Sequence, residues 1–189
     1  MKLDSSSGDI LWKVIYESHT IENYFQNHAV KSNGDILFFP NNYDSQNYYI
    51  EKLNSSNGEI TTMPINGYIS TSSLREVKLD NNDNIYITSY TQQTNSNSYY
   101  DSQLVKYDSD LNLLWNVTTG GFNNQNSYIK TMEYDNLNDL LYIVGIAKYN
   151  TELNPLGSSV LATNNSNQGT YFAAYNSQGI LQLANGFET

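Results

Sequence analysis

Lys2-Leu3-Asp4-Ser5-Ser6-Ser7-Gly8-Asp9-Ile10-Leu11-Trp12 decides the fold, because the same pattern returns down the chain. It comes back as Lys52-Leu53-Asn54-Ser55-Ser56-Asn57-Gly58-Glu59-Ile60 and as Lys106-Tyr107-Asp108-Ser109-Asp110-Leu111-Asn112-Leu113-Leu114-Trp115. The last copy is Ala174-Tyr175-Asn176-Ser177-Gln178-Gly179-Ile180-Leu181. Each copy joins two short apolar runs through a polar turn. Asp and Asn hydrogen-bond their own backbone in turns, and Gly takes positive φ without a clash. Each copy therefore reads as a β-hairpin.

A second hairpin alternates with the first. Its copies are His28 to Phe39, Glu76 to Ile87 and Met132 to Ile143. Asn33-Gly34 is the strongest short hairpin signal in the chain. Two alternating hairpins make a four-stranded unit. Leu3, Leu53, Tyr107 and Tyr175 stand 50, 54 and 68 residues apart. Propeller blades repeat at about 40–50 residues. The excess in the third unit falls in a polar stretch near residues 150–170, which reads as an elongated loop. Leu140-Leu141-Tyr142-Ile143-Val144-Gly145-Ile146-Ala147 is nearly all apolar. Such a strand is expected to be buried on both faces, as between stacked blades. It is too short to span a bilayer. Pro40 and Pro64 fall where strands should end.

The fold expected is all-β: β-propeller blades of four antiparallel strands, about three of them plus an extra N-terminal hairpin. The approximate blades are 24–66, 67–118 and 119–189, with the hairpin at 1–16, in one partial propeller over 1–189. Propellers close with 4–8 blades. A longer chain, or neighbouring molecules, is expected to complete this one, since open sheet edges invite pairing. Met1 is expected to begin inside a strand, and Thr189 to end without a capping unit of the kind repeat arrays use.

Asp4…Gly8…Trp12 resembles the Asp-x-x-x-Gly-x-x-x-Trp element of quinoprotein-like (PQQ-repeat-like) β-propellers. Trp115 to Phe122, the Tyr134–Ala147 hairpin and Thr170 to Gly179 follow one another in an order similar to the SBBP type of propeller repeat. The resemblance covers almost the whole chain and implies architecture more than activity. Two copies depart from it: Thr62 stands for the Trp in the second, and Leu183 or a neighbour in the fourth.

Composition narrows the function classes. Seventeen Tyr and six Phe suit strands, and Asn is the commonest residue. Nine Lys and Arg against nineteen Asp and Glu give a net charge of −10. That balance disfavours nucleic acid and anionic membrane surfaces, which need basic patches. Without Cys there is no disulfide, thiolate metal site or Cys nucleophile.

Few residues could carry chemistry. His19 and His28 are the only histidines, and no Ser lies in a Gly-x-Ser-x-Gly elbow. Asp80-x-Asn82-x-Asn84 copies the first half of a calcium loop, but Ile85 and Thr91 stand where that loop needs Gly and Glu. A β-turn explains it better. Asn54, Asn116 and Asn164 head acceptor sequons for N-glycosylation and are expected to be exposed. An Asn- and Ser-rich chain also produces such sequons by chance. Tyr48-Tyr49 and Tyr99-Tyr100 could stack on sugars or partner chains.

The reading is a non-enzymatic scaffold or protein-interaction module of an extracellular or surface protein, glycosylated if secreted, with no cofactor, catalytic residue or metal ligand assigned. Its partners are other proteins or copies of itself, with glycans a second class, and neither nucleic acid nor membrane insertion. A carbohydrate- or ligand-binding propeller is the alternative, and a quinoprotein-like or hydrolytic enzyme the third.

Overall fold

The computed structural model describes residues 2–13, 27–39, 49–65, 74–92, 100–121, 126–147, 151–153, 160–162 and 169–188. Every helix or strand among them is a strand. The chain divides into two compact units, Met1–Ile65 and Asn66–Thr189.

The first unit holds a hairpin, β1 (Lys2–Leu3) and β2 (Ile10–Trp12), and one sheet. The sheet runs β3 (Asn27–Val30), β4 (Ile36–Phe39), β5 (Tyr49–Leu53) and β6 (Ile60–Pro64), in that order and antiparallel. Pro64 is the last residue of β6, and Pro40 lies outside the described residues.

The second unit holds two sheets. One runs β7 (Leu74–Leu79), β8 (Ile85–Gln92), β9 (Tyr100–Tyr107) and β10 (Leu113–Gly121). The other joins β11 (Ser127–Asp135) and β12 (Leu140–Ala147) to β15 (Gly169–Asn176) and β16 (Leu181–Glu188). Each four-strand run is a meander of neighbours in chain order. These are propeller-type blades, three among the described residues, with one extra hairpin.

The turns form for one local reason. The first residue of each motif turn is Asp or Asn, and its side-chain oxygen accepts backbone N–H groups inside the turn. Asp4 takes Ser6 and Ser7, Asn54 takes Ser56 and Asn57, Asp108 takes Asp110 and Asn112, and Asn176 takes Gln178 and Ile180. Asp80 and Asp135 do the same in the alternate hairpins. This satisfies donors that water would otherwise hold.

The core of the second unit lies between its two sheets. Tyr86, Leu104, Trp115 and Val117 meet Ile129, Met132, Leu141, Ile143, Tyr171, Ala173 and Tyr175. Each large apolar side chain removed from water contributes about 1.5–3 kcal/mol.

Two expectations change. The excess near residues 150–170 contains a hairpin, β13 (Thr151–Leu153) and β14 (Val160–Ala162). It leaves the last sheet between β12 and β15 and pairs with β10, Thr119 to Gly121 facing Leu153 to Thr151. It therefore covers the open edge of the neighbouring blade. The second change concerns β12, which alternates: Leu141, Ile143 and Ala147 are buried, while Leu140, Tyr142, Val144 and Ile146 are only half-buried. The strands buried on both faces are β8, from Ile85 to Ser89, and β9, from Ser102 to Tyr107. Those runs contain Thr88, Ser89, Ser102, Gln103 and Lys106, so their apolar signal was diluted.

Gly145 has a packing reason. A Cβ there would collide with the buried ring of Tyr171, its partner across β12 and β15. Gly145→Ala should destabilise the second unit by about 1–3 kcal/mol through overpacking. Urea unfolding of the variant, followed by the fluorescence of Trp115 in a Trp12→Phe background, checks this.

Candidate functional site

The arrangement that recurs is a joint between a strand and a neighbouring turn. In the first unit Trp12 lies flat over Gly58, with ring carbons 3.0 Å from where a Cβ would stand. Its Nε1 donates to the Ser55 carbonyl at 3.1 Å, and the Lys2 ammonium donates to the same oxygen at 2.8 Å. In the second unit Trp115 covers Gly179, with a ring carbon 2.8 Å from where a Cβ would stand, and donates to the Ser177 carbonyl at 2.9 Å. Lys106 donates to that carbonyl at 3.2 Å. Gly is needed for two reasons. Its φ is +74° in Gly58 and +77° in Gly179, and a side chain would displace the indole.

A β-bulge aims each Trp. Lys2 pairs with Trp12 while Leu3 pairs with Ile10, so Leu11 is extra. Leu114 is extra in the same way, which puts Trp115 opposite Lys106. The bulge turns the strand and re-aims the next side chain. Between β15 and β16 the extra residue is Gln182, and Leu183 takes the Trp position opposite Ala174. Between β5 and β6 the register runs without a bulge, so Thr61, not Thr62, stands opposite Lys52. The missing bulge is why counting along the sequence picks the wrong threonine.

A dense polar cluster is attached to the second joint. Lys106 is buried and makes an ion pair with buried Asp80 at 3.2 Å. Its ammonium also lies 4.7 Å from the centre of the Tyr86 ring. Asp80 Oδ2 accepts from Asn84 Nδ2 at 2.8 Å and from the Tyr86 hydroxyl at 3.5 Å. Tyr86 stacks on Tyr134, whose hydroxyl donates to Asp139. Burial first, and the Asp80 carboxylate second, push the Tyr86 phenol far above its ordinary range. The Tyr134 phenol is raised by burial and by its bond to Asp139. Asp139 is held low by a bond from Ser177 and then by Tyr134. The phenols stay protonated as donors and the carboxylate stays ionised as acceptor. Each group serves its neighbour in the joint.

Asp80, Asn82 and Asn84 form a turn, and the Asp80 oxygens are engaged by two N–H groups, an amide and an ammonium. A cation there would have to displace Lys106. Among the described residues no group of three acidic or His side chains could hold a metal ion. His28 is exposed on β3, and His19 lies outside the described residues. Asn54 and Asn116 are half-buried, the first in its turn and the second on β10. Asn164 lies outside the described residues, as do Tyr48 and Tyr99. Tyr49 is half-buried on β5, and Tyr100 is exposed at the start of β9.

A tyrosine pair was not legible in the sequence. Tyr90 and Tyr128 touch with ring centres 4.7 Å apart, one from each sheet of the second unit. Arg75 lies 4.3 Å over Tyr90, and Lys130 lies 5.2 Å over Tyr128. Arg75 and Lys130 are the extra residues of bulges in β7 and β11, which the sequence does not mark.

Two surfaces related to the joint are open. Gly8 occupies the turn position of Gly58 and has φ +76°, yet no described atom lies within 4 Å of where its Cβ would be. Leu3 takes the place of Leu53, Tyr107 and Tyr175, which are buried, but is itself 47% exposed. In the last sheet Leu183 and Phe187 are each 51% exposed, on the face that also carries Tyr142, Val144, Ile146 and Phe172. Tyr142 and Phe172 stack there at 5.6 Å.

No family model matches this chain, and comparison with curated proteins finds no significant relative. No helix among the described residues is long and apolar enough to cross a membrane.

Two outcomes follow from the charges. Lys106→Met leaves Asp80 buried without its cation and should cost about 3–5 kcal/mol, of which Asp80→Asn in the same chain should recover more than half. Urea titration of the single and double variants measures this. In the first unit, the Ser55 N–H donates to Asp35 at 2.8 Å and chiefly holds that carboxyl below its ordinary value. A lowered carboxylate stabilises fully above the unfolded value of about 3.9 and loses this as pH falls through the folded one. The stability gap between the parent and Asp35→Asn should be constant above about pH 5 and close below about pH 4. Trp12 fluorescence in a Trp115→Phe background reports it.

Proposed function

We propose that this chain is a non-enzymatic propeller-type scaffold, of the SBBP or quinoprotein-like kind its repeats resemble, which works by docking its blade faces in a larger assembly. The observation that carries the reading is the open apolar face of the last sheet. In the middle sheet the equivalent face, with Tyr86, Leu104 and Trp115, is the core against the next blade. In the last sheet Tyr142, Phe172 and Leu183 stand in the same register, with Leu183 exposed and Tyr142 and Phe172 half-buried. Contiguous apolar surface of this kind marks protein contact sites. The polar clusters meanwhile support the joints, which favours a structural role over catalysis.

The chain carries a net charge of −10 and sequons at Asn54, Asn116 and Asn164, which support a place outside the cell or on its surface. The cation-flanked pair Tyr90 and Tyr128 supports the second reading, a site for an acidic carbohydrate stacked on the rings.

A photo-crosslinking residue at Phe187 separates the readings when the protein is expressed in its own cells. The scaffold reading predicts one protein adduct, mapped by mass spectrometry to a strand or turn of a β-sheet. No protein adduct, together with saturable binding of an acidic oligosaccharide that Tyr128→Ala abolishes, would favour the second.

A further inference from the structure

Donor and acceptor halves of one joint are both open on this chain. The donor half is the last-sheet face around Leu183, at the position Trp115 holds in the sheet before it. The acceptor half is the β1–β2 hairpin, with Gly8 at the position of Gly58 and Gly179. Those two glycines are buried under indoles, whereas Gly8 is exposed. The residues beneath the joint repeat the contrast. Tyr175, packed below Trp115, is fully buried, and Leu3 in the same place is 47% exposed.

Resting on the scaffold reading, we propose that the occupant of the Leu183 face is the β1–β2 hairpin of a second copy of this chain, with Leu183 seated on Gly8 of that copy. Leu183 fits such a seat because its neighbour lacks the ammonium that accompanies each Trp. Ala174 stands where Lys2 and Lys106 stand, so this joint is apolar, with no carbonyl-directed cation. Phe172 and Phe187 extend the same face beyond Leu183. On the hairpin Leu3 and Leu11 offer apolar surface around the turn. The two halves differ, so the contact is heterologous. Each copy that docks leaves one donor and one acceptor free. Such contacts propagate head to tail unless the rotation closes a ring.

Sedimentation velocity of the 189-residue chain across about 1–100 µM tests this, the range where a modest apolar interface becomes populated. Three variants accompany it, each checked for its native circular dichroism. Leu183→Glu puts a charge on the donor. Gly8→Asn fills the seat while keeping a residue that tolerates positive φ. Leu3→Glu charges the acceptor without touching the turn.

The parent should show a mass that rises with concentration. Each variant alone should stay at 21.4 kDa or lose at least tenfold in association. A mixture of Leu183→Glu with Gly8→Asn, or with Leu3→Glu, should form a one-to-one heterodimer and stop there, because one intact donor and one intact acceptor remain. A parent that stays monomeric throughout would overturn the proposal. So would a mixture that stays monomeric, or variants that associate like the parent. A Phe187 crosslink to a different protein on a monomeric chain would sink this inference and leave the scaffold reading standing; no protein crosslink at all would sink both.

Discussion

A flat indole over a glycine turn is the constraint on which the rest of this structure depends. It occurs twice, at Trp12 on Gly58 and at Trp115 on Gly179. In each case one carbonyl receives both the indole N–H and a lysine ammonium. The contact needs a positive φ, a missing side chain and a bulge that rotates the Trp toward the turn. Apolar strands alone would pack in several registers, since a one-residue slip sends each side chain to the other face. The joint fixes one register and one neighbour.

Charge is buried where the joint is strongest. Lys106 reaches Asp80 within its own sheet and the Ser177 carbonyl of the adjacent turn. A buried ion pair is seldom a net gain over apolar packing, but removing one member is costly. The pair thus acts on specificity: a wrongly docked blade would strand an ammonium and a carboxylate in the core. Tyr86 and Tyr134 extend this network across both sheets, with their phenols kept protonated by burial and nearby carboxylates.

The hairpins were legible because turn chemistry is local. Asp4, Asn54, Asp108 and Asn176 announce their turns by residue type, and the spacing between them gives the four-stranded units. Features that depend on pairing were not legible. The bulges at Leu11, Leu114 and Gln182 leave no mark in composition, so spacing alone points to Thr62 where Thr61 holds the place. The hairpin at Thr151–Leu153 and Val160–Ala162 has only three residues in each strand, too few to show a period, and it pairs with the β10 edge. Leu140 to Ala147 is the more apolar run, yet burial on both faces depends on tertiary position and falls to β8 and β9. Of the candidate sites, Asp80 to Asn84 forms the turn that its residue types announce. The Tyr90–Tyr128 pair comes from different sheets and needed coordinates.

The central claim is that indole and glycine act as a pair across two sheets. A double-mutant cycle in the second unit tests it most directly, with Trp115→Leu, Gly179→Ala and both changes, in a Trp12→Phe background, with unfolding followed by circular dichroism. If Trp115 rests on Gly179, the added methyl is harmful only while the indole is present. The account predicts that the two losses fail to add, with a coupling of at least about 1 kcal/mol. Strict additivity would show that the two residues stabilise the fold separately, and would contradict it.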